Sequence, residues 1–170
     1  STGLPPALDY RDNPDKWRAG DYPMPKAEEL SKIVGEKGKL YLGLIKDTLK
    51  VFRDEMDKDY PIGFISFDVD YYSSTKDAMK LIDLGPDFFI PIVHCYFDDC
   101  YGSMFANEFC GELLAIKEFN QENDMKKIVK DRVVKKAHSQ IDFQDFFEKM
   151  YFLHFFDHPN RKNSIKSQSC

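Results

Sequence analysis

Two short acidic segments contain the residues of this chain best suited to chemistry. Asp68-Val69-Asp70 follows the apolar run 63–67, and Asp98-Asp99 follows the apolar run 92–97. Runs of five or six mainly β-branched and aromatic residues indicate buried strands of a parallel sheet. Because ligands of open α/β sheets bind beyond the carboxyl ends of the strands, these two tips predict up to four carboxylates around one point. Such a cluster requires a cation or a shared proton.

A divalent cation such as Mg²⁺ or Ca²⁺ prefers carboxylate and carbonyl oxygens. Asp68, Asp98 and Asp99 are therefore the expected metal ligands, with Asp70 as a further ligand or a base. Aspartate is also common where strands turn into helices, so helix capping and loop solvation explain each residue taken singly. Their occurrence at two neighbouring strand tips favours a functional site.

The histidines and cysteines indicate structural roles. His94 lies in an apolar run, which predicts a buried, hydrogen-bonded side chain. His154 and His158 are four apart, but in a stretch that resembles a strand rather than a helix, so we expect them to be structural. The cysteines lack the paired spacing of a structural zinc site and are expected to be mainly buried free thiols; they are Cys95, Cys100, Cys110 and Cys170.

Composition limits the class of protein. The 170 residues, 42% of them hydrophobic, suit one domain over residues 1–158 with a polar tail over 159–170. A net charge of -5 argues against a nucleic-acid or anionic-membrane surface, and the basic run 126–136 is expected to be a solvated face. There is no apolar stretch of spanning length and no signal-like start, so we expect a cytoplasmic protein.

The first half of the chain predicts an irregular segment followed by short elements. Residues 1–25 contain five prolines and read as a loop. Pro25 suits the first turn of a helix over 26–34 that Gly35 ends, with Leu30, Ile33 and Val34 facing inward. A short strand is predicted over 40–45, and then a helix capped by Asp47 or Thr48, whose apolar face is formed by Leu49, Phe52 and Met56.

The second half alternates helices and strands. Ser74 and Asp77 resemble a capping box for a helix reaching Leu84, and the next strand is expected to begin after Pro91. A helix over 104–120 is predicted from an apolar stripe, and strands over 128–134 and 151–156 flank a short helix over 143–150. The stripe consists of Phe105, Phe109, Leu113 and Ile116. This alternation indicates an α/β fold.

Several segments, in their order, resemble macrocin O-methyltransferase-like proteins, which are class I methyltransferases. Residues 67–78, Phe-Asp-Val-Asp-Tyr-Tyr-Ser-Ser-Thr-Lys-Asp-Ala, resemble the family's Asp-x-Asp-x-Tyr-x-Ser-Thr segment, and residues 96–102 resemble its Asp-Asp-Tyr strand. Gly3-Leu4-Pro5-Pro6, Gly43 with Asp47-Thr48-Leu49, and the Glu-Phe-x-Gly-Glu pattern of residues 108–112 are also similar to segments of such proteins.

The resemblance implies a Rossmann-like, mostly parallel sheet with helices on both faces and an antiparallel strand at its end. It implies an O-methyltransferase that uses S-adenosylmethionine, assisted by Mg²⁺ or another divalent cation, and acts on a small hydroxylated acceptor. Asp68 and Asp70 would be catalytic, Asp68, Asp98 and Asp99 would hold the metal, and Gly43, Leu44 and Asp68 would contact the cofactor. No glycine-rich cofactor turn is present, so the chain is expected to need a preceding segment, a partner chain such as a second copy of itself, or a rearrangement of the fold.

Other classes of function remain open at this point. Asp-x-Asp after an apolar strand also describes haloacid-dehalogenase-like phosphatases, in which Asp68 would be the nucleophile, although Tyr72 departs from that pattern. A manganese-dependent sugar-nucleotide transferase is a weaker alternative. The chain would otherwise be a methyltransferase-like binding module or remnant without activity of its own.

Overall fold

The computed structural model describes residues 3–24, 26–133 and 144–161, which form a mixed α/β fold. The strands are β1 (Ile62–Phe67), β2 (Phe89–Phe97), β3 (Lys126–Lys130) and β4 (Met150–Phe155), arranged in an open sheet of order β1-β2-β4-β3. β1 and β2 are parallel, whereas β4 is antiparallel to both β2 and β3. β1, β2 and β3 therefore run in one direction and β4 in the other.

Five α-helices and several 3-10 turns connect and cover these strands in the described part of the chain. The helices are α1 (Ala27–Val34), α2 (Ile45–Asp54), α3 (Tyr72–Met79), α4 (Gly111–Glu122) and α5 (Gln144–Glu148). The 3-10 turns span Tyr10–Asp12, Gly35–Lys37, Lys80–Leu84, Pro86–Phe88 and Asp98–Cys100. None of the described helices is both long and apolar enough to cross a lipid bilayer.

The core lies between one face of the sheet and helices α3 and α4. Alternate strand residues face this side, as the period of two requires, and they include Val93, Cys95 and Leu153, which are fully buried. Phe67 and Phe97 stack with ring centroids 4.5 Å apart, directly before the two acidic tips. Packing of these rings makes the ends of β1 and β2 rigid where the acidic residues begin.

The opposite face of the sheet is thinly covered. Phe64, Ile92 and Val129 on this face are 56%, 40% and 43% exposed. Phe146 of α5 stacks on Tyr96 there at 5.7 Å. The expectation of helices on both faces is therefore met only weakly, since α3 and α4 share one face and α2 packs on α3.

The predicted strand over 40–45 is absent. Residues 38–44 have no regular structure, Gly43 has φ +145°, and α2 begins at Ile45. Leu44 is the N-cap residue of α2, and its side chain makes no capping hydrogen bond. The Thr48 hydroxyl donates to the Leu44 carbonyl (3.2 Å). The predicted caps Asp47 and Thr48 were thus wrong, because the helix starts before both of them.

The helix predicted over 104–120 begins only at Gly111. Residues 101–110 form turns in which the Ser103 hydroxyl and the Asn107 side chain accept backbone N–H groups. Gly111 has φ +59°, a left-handed conformation that glycine adopts without strain. Phe109, expected on the buried stripe, is instead 73% exposed. Side-chain hydrogen bonds within the turn replaced the helix that the apolar spacing predicted.

The start of α3 is held by a distant residue rather than by the predicted capping box of Ser74 and Asp77. α3 begins at Tyr72, and the buried Asp12 carboxylate accepts the Ser73 N–H (2.8 Å) and the Ser73 hydroxyl (3.0 Å). This cap comes from 61 residues earlier in the chain. It also attaches the N-terminal loop to the helix.

Other predictions had mixed outcomes. β2 begins at Phe89 and already pairs there with Ile62 of β1, so the prediction that the ladder begins after Pro91 is wrong on the β1 side and holds only for the pairing with β4, which starts at Ile92. α1 lies within the predicted helix, and Gly35 follows its last residue as the C-cap. It buries none of its residues, and Ile33, which was expected to face inward, is exposed. Pro25, Val134 and Phe143 lie outside the described residues. β3 spans Lys126–Lys130, whereas the predicted strand covered residues 128–134.

The structure also corrects some of the predictions for the histidines and lysines. His94 is exposed, not buried, because it lies on the thinly covered face. His158 is buried with Nε2 2.9 Å from the Phe89 carbonyl oxygen, and Arg161 contacts His154, so both have structural contacts. Lys126 and Lys127 of the basic run are half-buried and donate to backbone carbonyls rather than forming a solvated face.

Two of the cysteine predictions are confirmed. Cys95 and Cys100 are buried free thiols, and burial raises the pKa of Cys95 to about 12. Cys110 is a half-buried free thiol at the N-cap of α4, and Cys170 lies outside the described residues.

Candidate functional site

The two acidic tips lie side by side, as the sequence predicted. Phe67 and Phe97 are partners in the parallel register of β1 and β2, so Asp68 and Asp98 follow neighbouring strand ends, which lie about 4.8 Å apart in a sheet. Asp98 and Asp99 lie in the 3-10 turn Asp98–Cys100. The parallel pairing of these strands is what brings carboxylates 30 residues apart to one edge.

A cleft of about 420 Å³ opens at this edge, and we call it the acidic cleft. Its lining residues are Trp17, Tyr22, Asp68, Asp70 and Asp98. The Trp17 and Tyr22 rings meet edge to face at 5.8 Å. The cleft therefore combines carboxylates with aromatic walls, a combination that suits a small polar molecule with a flat or apolar part.

Two lysines neutralise part of this charge. Lys16 Nζ donates to Asp99 Oδ1 (2.7 Å), and Lys149 Nζ donates to Asp98 Oδ1 (2.8 Å). The Tyr96 hydroxyl donates to the same Asp98 oxygen (2.6 Å). These contacts lower the pKa of Asp98, so it is ionised at neutral pH.

Asp68 and Asp70 have raised pKa values. Burial is the main cause for Asp68, followed by the charges of Asp98 and Asp99. Burial, and then the charges of Asp99 and Asp68, raises the pKa of Asp70 to about 6. A carboxylate with a pKa this close to neutrality is well suited to accept a proton during a reaction.

Asp70 is also conformationally unusual. Its φ is +59°, in the left-handed region that residues other than glycine rarely adopt. Neighbouring contacts hold this turn, since the Tyr71 N–H donates to the Val69 carbonyl and the Tyr71 hydroxyl to the Pro5 carbonyl. Backbone strain of this kind is common at functional sites.

Comparison with known proteins adds no family. No known protein family, curated protein or solved structure matches the chain. The function is therefore inferred from the residues of the cleft and from the resemblance noted in the sequence.

The expected metal ligands do not converge as predicted. Among the described residues, no three histidine, cysteine, aspartate or glutamate side chains form a group that could hold a metal ion. Asp99 is paired with Lys16 and does not line the acidic cleft, whereas Asp70 does. The other carboxylate oxygen of Asp99, Oδ2, is buried and has no hydrogen-bond partner in the described part of the chain.

The carboxylates still fit a divalent cation in chemical terms. Asp68, Asp70 and Asp98 supply oxygen donors around one cleft. Burial is the main cause of the raised pKa of Asp68 and Asp70, and positive charge would relieve the repulsion from neighbouring carboxylates that adds to it. Mg²⁺ commonly binds through one or two carboxylates and keeps several waters. A preformed group of three carboxylates is therefore not required.

Of the three predicted cofactor residues, Asp68 lines the acidic cleft, whereas Gly43 and Leu44 do not. Leu44 lines a separate pocket of about 120 Å³, which shares no lining residue with the acidic cleft; its other lining residues include Pro5, Pro6, Ser73 and Ser74. Gly43 is exposed and does not line either one. This volume is well below the roughly 300 Å³ typical of a small-molecule site. The described residues alone do not fit the whole of S-adenosylmethionine.

Sequence reasoning missed Lys16, Trp17, Tyr22 and Lys149. The first three lie in the proline-rich segment, where no periodicity marks them, although Trp17 is the single tryptophan of the sequence. Lys149 precedes β4 and reaches Asp98 only because β4 pairs with β2. Tertiary contact alone identifies these four residues as part of the site.

Proposed function

We propose that the acidic cleft binds a divalent cation together with a small hydroxylated molecule, as the acceptor-binding part of an O-methyltransferase of the S-adenosylmethionine-dependent class. The observation that carries the proposal is the placement of Asp68, Asp70 and Asp98 around one cleft at the carboxyl ends of two parallel strands. Ligands of α/β proteins bind at this edge of the sheet.

Each cleft residue has a role in this proposal. Asp68 and Asp98 would hold the cation together with several waters, and the cation would lower the pKa of a bound hydroxyl group. Asp70, with its pKa near 6, would accept the proton of the acceptor hydroxyl. Trp17 and Tyr22 would contact the apolar side of the acceptor.

The fold and the small pocket support the class of enzyme. In the sheet order β1-β2-β4-β3 the antiparallel strand β4 lies next to the edge strand β3, and one antiparallel strand among the last strands is what the resemblance implies. The small pocket is lined by residues of three resembling segments, Pro5 and Pro6, Leu44, and Ser73 and Ser74. S-adenosylmethionine, when bound, supplies an activated methyl group, and this pocket is where part of it would contact the chain.

Calorimetric titration tests the cation site. We expect Mn²⁺, used as a probe for Mg²⁺, to bind the wild-type chain and to bind at least about tenfold more weakly to Asp68→Asn and Asp70→Asn, since each change removes a negative charge from the cleft. Asp87→Asn is the matched control, because Asp87 pairs with Lys58 outside the cleft. Equal Mn²⁺ affinity in all four proteins would show that the cleft is not the cation site.

Titration with S-adenosylhomocysteine, with and without Mg²⁺, tests the enzyme class. Binding at micromolar strength is expected if the chain completes a cofactor site by itself or with a second copy. Mn²⁺ binding without S-adenosylhomocysteine binding would instead support a binding module. Phosphatase activity that is lost in Asp68→Asn would favour the haloacid-dehalogenase-like alternative.

A further inference from the structure

Glu112 is a buried carboxyl group bonded to the backbone of the acidic cleft, and none of the roles above includes it. It is 1% exposed and is the second residue of α4. Its Oε2 accepts the backbone N–H of Asp99 (2.9 Å), and the Cys100 Sγ lies 3.7 Å from the same oxygen. Burial of a carboxyl group is costly unless it is hydrogen-bonded, so this contact is central to its placement.

The contact holds the turn that contains Asp98, one of the three cleft carboxylates. Asp99 lies in the 3-10 turn Asp98–Cys100, and the first N–H groups of such a turn have no partner within it. Glu112 supplies that partner from α4. The position of Asp98 beside Asp68 therefore depends on a hydrogen bond made behind the cleft.

Asn120, an uncharged residue of α4, also holds the backbone of a neighbouring element through side-chain hydrogen bonds. The Asn120 side chain accepts the Ile128 N–H and donates to the Ile128 carbonyl, both at 2.7 Å, and so joins α4 to β3. Asn120 holds a strand far from the acidic cleft, whereas Glu112 holds the turn within it. The same helix thus fixes both the sheet and the candidate site.

We propose that Glu112 is a positioning residue of the acidic cleft, whose side-chain oxygen holds the Asp98–Cys100 turn so that Asp98 lies beside Asp68 and Asp70. Its functional meaning rests on the proposed cation binding, but the hydrogen bond to Asp99 can be measured without any cation. At position 112, glutamine has a side chain of the same length as glutamate and keeps an oxygen acceptor, whereas leucine has no acceptor.

Two measurements on the full chain test this role. Amide hydrogen exchange of Asp99 is followed by NMR, and Mn²⁺ affinity by calorimetry. We expect Glu112→Gln to resemble the wild type in both. Glu112→Leu is expected to expose the Asp99 amide to faster exchange and to weaken Mn²⁺ binding by about tenfold or more. Glu118→Gln on the same helix, where Glu118 accepts the Tyr72 hydroxyl instead, is the control and should change neither.

Each outcome decides the proposal. Circular dichroism checks folding, and Glu112→Ala is measured beside Glu112→Leu because it removes the acceptor without adding a clash. Unchanged Asp99 exchange in the folded variants overturns the positioning role, as does equal loss of Mn²⁺ affinity in Glu112→Gln and Glu112→Leu. If Asp99 exchange accelerates as expected but the wild type binds no Mn²⁺, the proposed cation site fails while Glu112 still positions the turn.

Discussion

Some residues of the acidic cleft stabilise the native state at neutral pH, and others destabilise it. Asp98 is stabilised as an anion by Lys149 and Tyr96, whereas Asp70 is held where ionisation is unfavourable. The left-handed backbone of Asp70 adds strain. A residue that destabilises the native state at neutral pH while lining a cleft is a better functional candidate than one that only stabilises it.

Asp70→Asn should therefore stabilise the protein in a pH-dependent way. The pKa of Asp70, about 6, lies above its unfolded value of about 3.9, so the native state binds the proton more tightly and loses stability as pH rises from 4 through 6. We expect the variant to gain about 1 kcal/mol at pH 7.5, after allowance for solvent screening, and less at pH 4. Urea unfolding at both values measures this. An identical gain at both would point to backbone strain alone.

Asp12 is one of the residues that join the N-terminal loop to the rest of the molecule, and it does so at α3. It is buried and accepts the N–H groups of Leu8 and Ser73 as well as the Ser73 hydroxyl. Asp12→Ala removes the acceptor of these three partly buried donors and should cost about 2 kcal/mol or more of unfolding free energy. Asp9→Ala, which breaks a surface ion pair with Arg11, should cost clearly less than Asp12→Ala, since exposed ion pairs contribute little. Comparable losses in urea unfolding would contradict the anchoring role.

At the scale of elements, the strands were the more predictable part. All four strands lie within a few residues of the positions that apolar runs indicated, because burial on one face requires alternation. The helices were less predictable where local hydrogen bonds compete with periodicity. Residues 101–110 carried a helical apolar spacing yet formed turns, and residues 40–45 carried a strand-like run without a neighbouring strand to pair with.

The strand face that packs on α3 and α4 should carry most of the stability. Leu153 of β4 is fully buried in this core, and Leu153→Ala is expected to cost about 3 kcal/mol through lost burial and a cavity. Leu42→Ala makes the same chemical change at a half-exposed position outside any element, and it should cost less than about 1 kcal/mol. Thermal or urea unfolding distinguishes the two, and a similar cost for both would place the core elsewhere.

At the scale of the whole molecule, the sheet is covered unevenly. In the described part of the chain, β1 pairs with one strand only and Phe64 of β1 is largely exposed. An apolar sheet face next to an unpaired edge is a surface on which other molecules readily bind. This unpaired edge is at β1.

Phe64→Lys should reduce binding of the hydrophobic dye ANS without lowering stability, since it adds a charge to an exposed position on an edge strand. Leu8→Lys is the matched control, because Leu8 is more exposed but lies outside the sheet. Its dye fluorescence should stay near that of the wild type. If neither change lowers the fluorescence, the sheet face is not the apolar surface that the dye detects.

The sequence by itself determined the α/β alternation and the two acidic tips, because strand burial and the position of polar residues after a strand are local patterns. Only the tertiary structure decided that Asp70 rather than Asp99 lines the cleft, that Lys16 and Lys149 neutralise its neighbours, and that Glu112 lies behind the turn. Those contacts join residues from the N-terminal loop, two strand ends, α4 and the start of β4. No local pattern records which distant side chains meet, since that depends on strand order and on how the loop packs.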